Sequence, residues 1–444
     1  MKTKFILSLI FATASAIPAA EPDAAPIATA NIVRLTPAYV NQLAEQMRTN
    51  HPALRALDAR VRAAGHATNA VRTWEDPTAK FGGVVASQRG SKLSEDGDLI
   101  YGVEQKLPLF GKAQAARRAA QTEADTEVAR QAMQFQVLRR DLAAVLFKSA
   151  YEEQVLDTGR EDLAWLDTMV ATTEQRYRTG AGTQVELLRM QNERAKRADA
   201  LRTDTLRRDH SRLSVNRLLN QNFTAPLPKM ELPPVAAPVA YSSNLVGLAT
   251  RFEPRLRMMS REIAAAEAQA AAARKARLPE VSAGIEGRQF SGDGGFREGM
   301  FTVSMSLPWF NRGKYNSDIS RARARAEAAE LDRADYELSV REEVHNLTVT
   351  IDAARRQALL YRDEILPRSQ QAFDSAHANW LAGRGMFNDV MEARRMFLEA
   401  RLMFARAVSE QYQALSALVL CCGLGDLEAL EMFGVNPDST PDQP

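Results

Sequence analysis

The chain has 444 residues, of which 45% are hydrophobic, 25% charged and only 7% aromatic, a balance that favours long solvated surfaces over the large core of an α/β enzyme. The 57 basic residues nearly cancel the 55 acidic ones, and a net charge of +2 offers no general field for nucleic acid. The two cysteines, Cys421 and Cys422, are adjacent and point in different directions on a helix, which is typical of small core residues and not of a disulfide.

Residues 1–20 have the features of a secretory signal peptide. Lys2 and Lys4 precede an apolar run and the A-x-A site Ala14-Ser15-Ala16, so cleavage is expected near residues 16–20. No cysteine follows that could be lipidated. No later stretch reaches the roughly 18 apolar residues of an inner-membrane helix, so the mature chain is expected to be exported.

The rest of the chain is a duplication with an offset of roughly 200 residues. His51-Pro52-Ala53-Leu54 is repeated as Glu253-Pro254-Arg255-Leu256, and Leu107-Pro108-Leu109-Phe110-Gly111-Lys112 as Leu307-Pro308-Trp309-Phe310 followed by Gly313-Lys314. Tyr177-x-x-Gly180 is repeated as Trp380-x-x-Gly383. The pattern predicts a first repeat over 21–221, a proline-rich linker over 222–243, a second repeat over 244–423 and a C-terminal tail over 424–444.

Each repeat is predicted to contain a helix, a β-hairpin and two very long helices. In the first repeat a continuous helix from Thr36 to about Arg72 precedes a hairpin at 80–107 and helices at 112–178 and 183–219. In the second, a helix from about Ser243 to Arg277 precedes a hairpin at 281–307 and helices at 315–379 and 386–422. The fold class is therefore mainly α with a small β part, and the paired long helices predict helical hairpins that extend far from the strands.

The four predicted strands have one apolar and one polar face. Tyr101 and Val103 oppose Gly102 and Glu104, and the second hairpin repeats this alternation. Strands of this kind fit a transmembrane barrel with a wet lumen, but four strands cannot close one. Because open edges in lipid leave backbone groups unpaired, three copies contributing twelve strands are expected. Two exposed hairpins packed on the helices of a soluble protein remain the alternative.

Two groups of residues lie at the boundaries between these elements. Pro108, Gly111, Pro308 and Gly313 lie where a strand ends and a helix begins, and are interpreted as barrel-to-helix joints without a chemical role. Gly180, Gly182, Gly383 and Gly385 permit the reversals between antiparallel long helices, and these tips would be the surface offered to a partner.

Asp389 and Glu392 are three residues apart just after the second tip, so their carboxylates share a helix face. In a threefold assembly they would repeat as an acidic ring able to collect cations. A solvated helix end with favourable negative charge near its N-terminus is the competing interpretation. The first repeat has Glu186 but Arg189 at the corresponding places. No metal-binding, cofactor-binding or nucleophile motif is present, so no catalytic residue, cofactor or metal is assigned.

Over nearly its whole mature length the chain resembles the TolC-type outer-membrane efflux proteins. The resemblance implies a homotrimer in which a twelve-stranded β-barrel in outer-membrane lipid continues into a helical α-barrel in the periplasm. It also implies docking to a periplasmic adaptor through the tips, which include Tyr177, Trp380 and Arg384, and an inner-membrane pump of the proton-driven RND class.

The resemblance further places Asp389, Glu392 and Glu186 at the acidic periplasmic entrance. This chain has Trp380 in place of the family's tip tyrosine. It has Gly385 in place of an arginine that helps to hold the channel closed in the family, so Arg384 would have to take over that role. The joint sequences are more similar to the CzcC-like heavy-metal branch than to the drug-efflux branch. The expected function is passive export of heavy-metal cations or drugs, with a soluble periplasmic coiled-coil scaffold or adaptor as the alternative.

Overall fold

The computed structural model describes residues 32–85, 97–290 and 294–425. The expected signal peptide, the tips of both β-hairpins and residues 426–444 of the expected tail lie outside these residues. The elements follow in chain order: β1 Ile32–Arg34, α1 Pro37–Asn50, α2 Pro52–Ala70, β2 Thr78–Val85, β3 Gly97–Leu107, α3 Lys112–Arg178, α4 Gln184–Leu219, β4 Lys229–Glu231, α5 Ser243–Phe252, α6 Pro254–Ala276, β5 Val281–Phe290, β6 Phe296–Met305, α7 Arg312–Leu360, α8 Leu366–Leu381 and α9 Phe387–Cys421.

The long helices dominate the molecule. Helix α3 runs without interruption for 67 residues, about 100 Å at 1.5 Å per residue, because it contains no proline and only one glycine, Gly159. Its repeat counterpart is divided into α7 and α8 by a π-helical segment, Tyr361–Ile365. Pro367 follows this segment and supplies no backbone N–H, and its ring crowds the preceding turn, which a wider π turn accommodates. The single helix predicted at 315–379 therefore has a break that its counterpart lacks.

The first helix of each repeat is divided, contrary to the continuous helices predicted from Thr36 to Arg72 and from Ser243 to Arg277. His51 and Glu253 have ψ angles of 125° and 129°, outside the helical region, because each precedes a proline. Each also caps the helix that follows: His51 Nδ1 accepts from the Ala53 N–H at 3.2 Å, and Glu253 Oε2 accepts from the Leu256 N–H at 2.6 Å. The two prolines, Pro52 and Pro254, thus create a helix-to-helix joint at the same point in each repeat.

The two β-hairpins form one antiparallel sheet in the order β2-β3-β5-β6. One face is apolar and uncovered, with Phe81 84% exposed and Phe301 71% exposed. The opposite face carries a hydrogen-bonded polar cluster in which Lys80 pairs with Glu104 and Glu286, and Glu104 accepts from Ser304 at 3.0 Å. The predicted alternation is thus present, and β2 and β6 are the two edges of the sheet.

A second, smaller sheet was not predicted. β1 and β4 pair in parallel, with Val33 opposite Met230, and β4 belongs to the segment interpreted as an extended linker. Ala236, farther along that linker, is held against α9, since the side chain of Gln411 both accepts from and donates to its backbone. Strands of three residues are too short to show a period of two, so sequence pattern could not detect them.

The helical region is held by separate apolar clusters along its length. One cluster joins α1 and α2 to α3 and α4 around Leu142 and Phe147, a second joins α5 to α7 and α9 around Val344 and Leu418, and a third lies near the tips around Trp380. Within the described part of the chain, no helix is both long and apolar enough to cross a membrane.

Candidate functional site at the helix tips

The first tip, between α3 and α4, is a tight glycine-dependent reversal. Gly180 has a φ of +76°, a conformation that side chains with a Cβ rarely adopt. The Arg176 carbonyl accepts from the N–H groups of Ala181 and Gly182 at 2.9 and 3.0 Å. A Cβ on Gly182 would lie 3.1 Å from the Arg176 Cβ, so a larger residue there would fit only with a small local shift of Arg176.

A capping box closes the start of α4. The Thr183 hydroxyl accepts from the Glu186 N–H at 3.2 Å, and the Glu186 carboxylate accepts from the Thr183 N–H at 3.3 Å. Glu186, which the resemblance places at an acidic entrance, thus has its carboxylate occupied by the backbone of its own tip.

The second tip, between α8 and α9, has the same backbone turn and a different cap. Gly383 has a φ of +72°, and the Asn379 carbonyl accepts from the N–H groups of Arg384 and Gly385. A Cβ on Gly385 would lie 3.0 Å from the Trp380 backbone nitrogen. The N-cap residue of α9 is Met386, whose side chain makes no capping hydrogen bond.

Asp389 and Glu392 are exposed on one face of α9, as predicted from their spacing. Asp389 occupies the same helix position as Glu186, three residues after the N-cap, but Met386 has no hydroxyl that could accept from the Asp389 N–H. Glu392 pairs with Arg395 at 2.7 Å, whereas the Asp389 carboxylate makes no hydrogen bond or ion pair with the described residues. Arg384 is also exposed on the turn itself.

Trp380 and Tyr177, equivalent in the two repeats, have opposite environments. Tyr177 is exposed, whereas Trp380 is 1% exposed and packs against Phe387 with the ring centroids 6.1 Å apart. The larger indole is therefore part of the core between the tips and not of their outer surface.

Arg176 connects the two tips and was not identified from the sequence. Its guanidinium lies over the Trp380 ring at 4.7 Å, and it donates to the carbonyls of Leu381 at 3.3 Å and Ala181 at 3.2 Å. One side chain thus contacts both hairpins. The available signal was its place one residue before Tyr177, but nothing in that pattern indicates a partner about 200 residues away.

A groove of about 560 Å³ lies between α4 and α9 beside the tips. Phe387 and Met391 supply its apolar surface, and Arg189, Lys196 and Glu392 supply charge. Arg189 also donates to the Asn388 side chain at 2.8 Å, which joins the two hairpins a second time.

Farther from the tips, a buried ionic link joins α3 to α9. Arg394 Nε lies 3.2 Å from Asp162, and its guanidinium is stacked on Trp165 and Phe373 at 4.8 and 5.0 Å. Burial lowers the pKa of Arg394, and the Asp162 carboxylate opposes that change. Arg197 of α4 approaches the same carboxylate at 3.5 Å.

At the opposite end of the helices, the two barrel-to-helix joints differ. Gly111 caps α3 with a φ of +70°, as a sharp redirection after Pro108 requires. In the second joint Pro308 begins a 3₁₀ turn, Pro308–Asn311, which makes the redirection. Gly313, predicted to permit that bend, lies within the first turn of α7 and its φ is not positive, so that assignment is wrong.

Among the described residues no group of His, Cys, Asp or Glu side chains is arranged to hold a metal ion. Cys421 and Cys422 are free thiols, and burial raises the pKa of each to about 12, so both remain protonated.

The chain is similar to several characterised proteins. The sequence model of the outer membrane efflux protein family matches residues 43–221 and 245–424. The pyoverdine export outer membrane protein OpmQ of Pseudomonas putida is 25% identical over 421 residues, 87% of this chain and 86% of that protein. The cobalt-zinc-cadmium resistance protein CzcC of Cupriavidus metallidurans is 25% identical over 116 residues, 26% of this chain and 27% of that protein.

Among solved structures, the outer-membrane channel OprN superposes with a TM-score of 0.75 at 21% identity, covering 87% of this chain and 90% of that one. This likeness shows the fold. Because the two family matches coincide with the two repeats and together span most of the sequence, the chain belongs to the outer membrane efflux protein family and is an efflux channel of the outer membrane.

Proposed function

We propose that three copies of the chain assemble into a continuous duct, with a twelve-stranded barrel in the outer membrane and a helical tunnel in the periplasm. The observation that carries this proposal is the incomplete sheet. Its apolar face is uncovered, its polar face is internally hydrogen-bonded, and its edge strands β2 and β6 each have only one neighbouring strand among the described residues. Pairing β6 of one copy with β2 of the next would satisfy both edges and leave a polar lumen.

The tips are proposed to receive a periplasmic adaptor, with an inner-membrane pump of the RND class supplying the energy. The groove between α4 and α9 and the exposed turns beside it supply a surface with both apolar and charged groups. The duct is proposed to conduct the cargo without modifying it, and the described residues contain no cluster of side chains that could hold a metal ion.

The substrate is proposed to be selected upstream, by the pump and adaptor. The similarity to a pyoverdine exporter spans most of the chain, whereas that to a cobalt-zinc-cadmium resistance protein spans about a quarter of it. A deletion strain should therefore be grown on a panel of divalent metals and antibiotics, and its secretion of a metal-chelating siderophore measured. Loss of one phenotype, restored by the cloned chain, would name the cargo class.

Assembly is tested by fractionation and conductance. The full chain should sediment with outer membranes, run as a heat-sensitive trimer and conduct ions in planar bilayers. A soluble periplasmic monomer without conductance would overturn the proposal. That result would fit the alternative of a coiled-coil scaffold, which membership of the efflux family disfavours.

We further propose that Asp389 forms the acidic ring at the periplasmic mouth and that Glu392 and Glu186 contribute less. Asp389 has no partner among the described residues, whereas Arg395 and the Thr183 backbone occupy the other two carboxylates. Divalent-cation block of the bilayer conductance should weaken strongly in Asp389→Ala and less in Glu392→Ala. Glu399→Ala, an exposed carboxylate farther along α9, is the matched control. Unchanged block in Asp389→Ala would remove the assigned role.

A further inference from the structure

A basic band surrounds the base of the sheet, where all four strands meet the helices. The connecting segments 71–77 and 277–280, the end of α6 and the starts of α3 and α7 lie there. Five exposed basic side chains in this band have no ion partner among the described residues: Arg72, Lys275, Arg277, Arg312 and Lys314. Two of the nearby carboxylates are neutralised, since Glu75 pairs with Lys106 at 2.7 Å and Glu280 pairs with Lys112 at 3.3 Å. Asp76 is the nearby acid that has no such partner among the described residues. A chain with a net charge of only +2 thus has a local excess of positive charge here.

Exposed aromatic rings lie two residues from the unpaired Arg72 and Arg312, and also from Lys112, whose partner is Glu280. Trp74 follows Arg72 by two residues, Phe110 precedes Lys112 by two, and Phe310 precedes Arg312 by two. Phe310 is 83% exposed, and Trp74 and Phe110 are exposed as well. Phe110 has a φ of +62°, a costly conformation for a residue with a Cβ, so the backbone holds this ring outward at an energetic cost.

Two of the aromatic residues, Trp309 and Phe310, directly follow a strand that has an exposed apolar face. Phe301 and Val303 on β6 are exposed, and the same strand leads through residues 306–307 into the turn that carries Trp309 and Phe310. Large apolar rings would be unfavourable in a water-filled lumen. At a lipid–water boundary, by contrast, the rings can contact the apolar side while the neighbouring basic groups contact the polar headgroups.

We propose that this basic aromatic band binds the anionic headgroups of phospholipids in the leaflet that faces the periplasm. The inference rests on the proposed barrel, because the helices mark the periplasmic side of the sheet. The guanidinium and ammonium groups would contact headgroup phosphates while the rings sit at the level of the ester groups, and attraction to anionic lipid would fall with added salt. The band would fix how deeply the barrel sits in the membrane.

The chain's own tryptophans provide the test. Trp74 and Trp309 lie in the band, whereas Trp165 is about 80 Å from the start of α3 at 1.5 Å per residue, and Trp380, which contacts Arg176, is farther away still. The full-length protein is reconstituted into phosphatidylcholine vesicles that contain either brominated phosphatidylglycerol or the same mole fraction of brominated phosphatidylcholine. Bromine quenches only nearby tryptophan, so an excess of quenching by the anionic lipid reports its enrichment at the band. We expect that excess to be about twofold or more at low salt.

The variant Arg277→Gln/Arg312→Gln/Lys314→Gln should lose the excess while quenching by the zwitterionic lipid is unchanged. The matched control, Arg321→Gln/Arg323→Gln/Arg325→Gln, removes three exposed charges farther along α7 and should keep it. Equal quenching by the two lipids in the unaltered chain, or equal loss in both variants, would overturn the inference.

Conductance recorded on the same preparations separates this inference from the assembly proposal. Quenching by neither lipid, with no conductance, means that the barrel did not insert and the proposed duct fails. Conductance with equal quenching by both lipids means that only the lipid site fails. A changed cation-to-anion permeability ratio in the band variant, without a change in quenching, would place these bases in the lumen and would also overturn the lipid site.

Discussion

The two helix tips have the same backbone and opposite side-chain chemistry. Both reverse through a glycine with positive φ, and both place an acid three residues after the N-cap. In the first tip Thr183 turns that acid, Glu186, into half of a capping box. In the second tip Met386 offers no hydroxyl, and Asp389 remains open to solvent. Duplication has preserved the turn, because its hydrogen bonds are backbone ones, while the side chains diverged into one self-contained tip and one with a free carboxylate.

The same divergence extends along the hairpins. Tyr177 is exposed and Trp380 buried, and α3 is continuous where the π segment separates α7 from α8. The first hairpin is thus the more regular of the two. The second carries the break, the buried aromatic core and the uncapped helix start.

The largest expected effect is at Trp380. Trp380→Ala removes a fully buried indole and should destabilise the second tip locally by about 3–5 kcal/mol, whereas Tyr177→Ala at the exposed counterpart should cost under about 0.5 kcal/mol. Amide hydrogen exchange of residues 376–391, compared with residues 173–188, measures both. Similar acceleration at the two tips would mean that their packing is equivalent.

A smaller effect is expected from the link between α3 and α9. Asp162→Asn leaves Arg394 buried without its charge partner and should destabilise the paired helices by about 3 kcal/mol. The adjacent change Glu161→Gln breaks only an exposed pair with Arg401 and should cost under about 1 kcal/mol. Urea denaturation of the trimer, followed by circular dichroism, distinguishes them, and equal midpoints would show that burial does not matter here.

The caps can be exchanged between the tips. Thr183→Ala should weaken the start of α4 by about 1 kcal/mol, and Met386→Thr should stabilise the start of α9 by a similar amount, because its hydroxyl could accept from the Asp389 N–H. Hydrogen exchange in the first turn of each helix checks this. If Met386→Thr leaves exchange in α9 unchanged, the missing hydroxyl is not what distinguishes the tips.

The smallest effect is a pH dependence of opposite sign at the two proline joints. Burial, followed by the Arg217 charge, lowers the pKa of His51 below 6.5, so its contribution to stability is present above pH 6.5 and is lost as the pH falls through that lower value. Burial raises the pKa of Glu253 above 4.5, so its contribution is present below pH 4.5 and is lost as the pH rises through the raised value.

Acidification should therefore loosen the α1–α2 joint and tighten the α5–α6 joint. Opening free energies from hydrogen exchange at several pH values test this. His51→Asn and Glu253→Gln keep a capping acceptor and should each remove the dependence at their own joint. A pH profile of the same sign at both joints would contradict the assignment.

Much of the fold could be predicted because it depends on local sequence patterns. The repeat, the long helices, the alternating strands and the glycine turns depend on period, proline and glycine. The joints at His51 and Glu253 were available in the same way, since both precede proline, yet the surrounding helical periodicity hid them. The pairing of β1 with β4 could not be predicted, because three-residue strands have no detectable period.

The site shows the same limit. The position of Asp389 and Glu392 on one helix face follows from their spacing, but the partner of each carboxylate depends on neighbours in the fold. Arg176 reaches Trp380 across about 200 residues of sequence, and no local pattern records that contact. Glu186 and Asp389 hold the same helix position, but the Glu186 carboxylate accepts from the N-cap backbone N–H, whereas the Asp389 carboxylate, one methylene shorter, has no such bond.

The sequence alone determined that the chain is a duplicated, mainly helical protein with too few amphipathic strands to close a barrel, since those properties depend on the order of residues along the chain. The tertiary structure decided which carboxylates are without a partner, which aromatic ring is buried and which basic side chains lie together where the sheet meets the helices. These properties depend on distances between side chains that are remote in sequence. Only the packing of the helices and strands of the two repeats sets those distances.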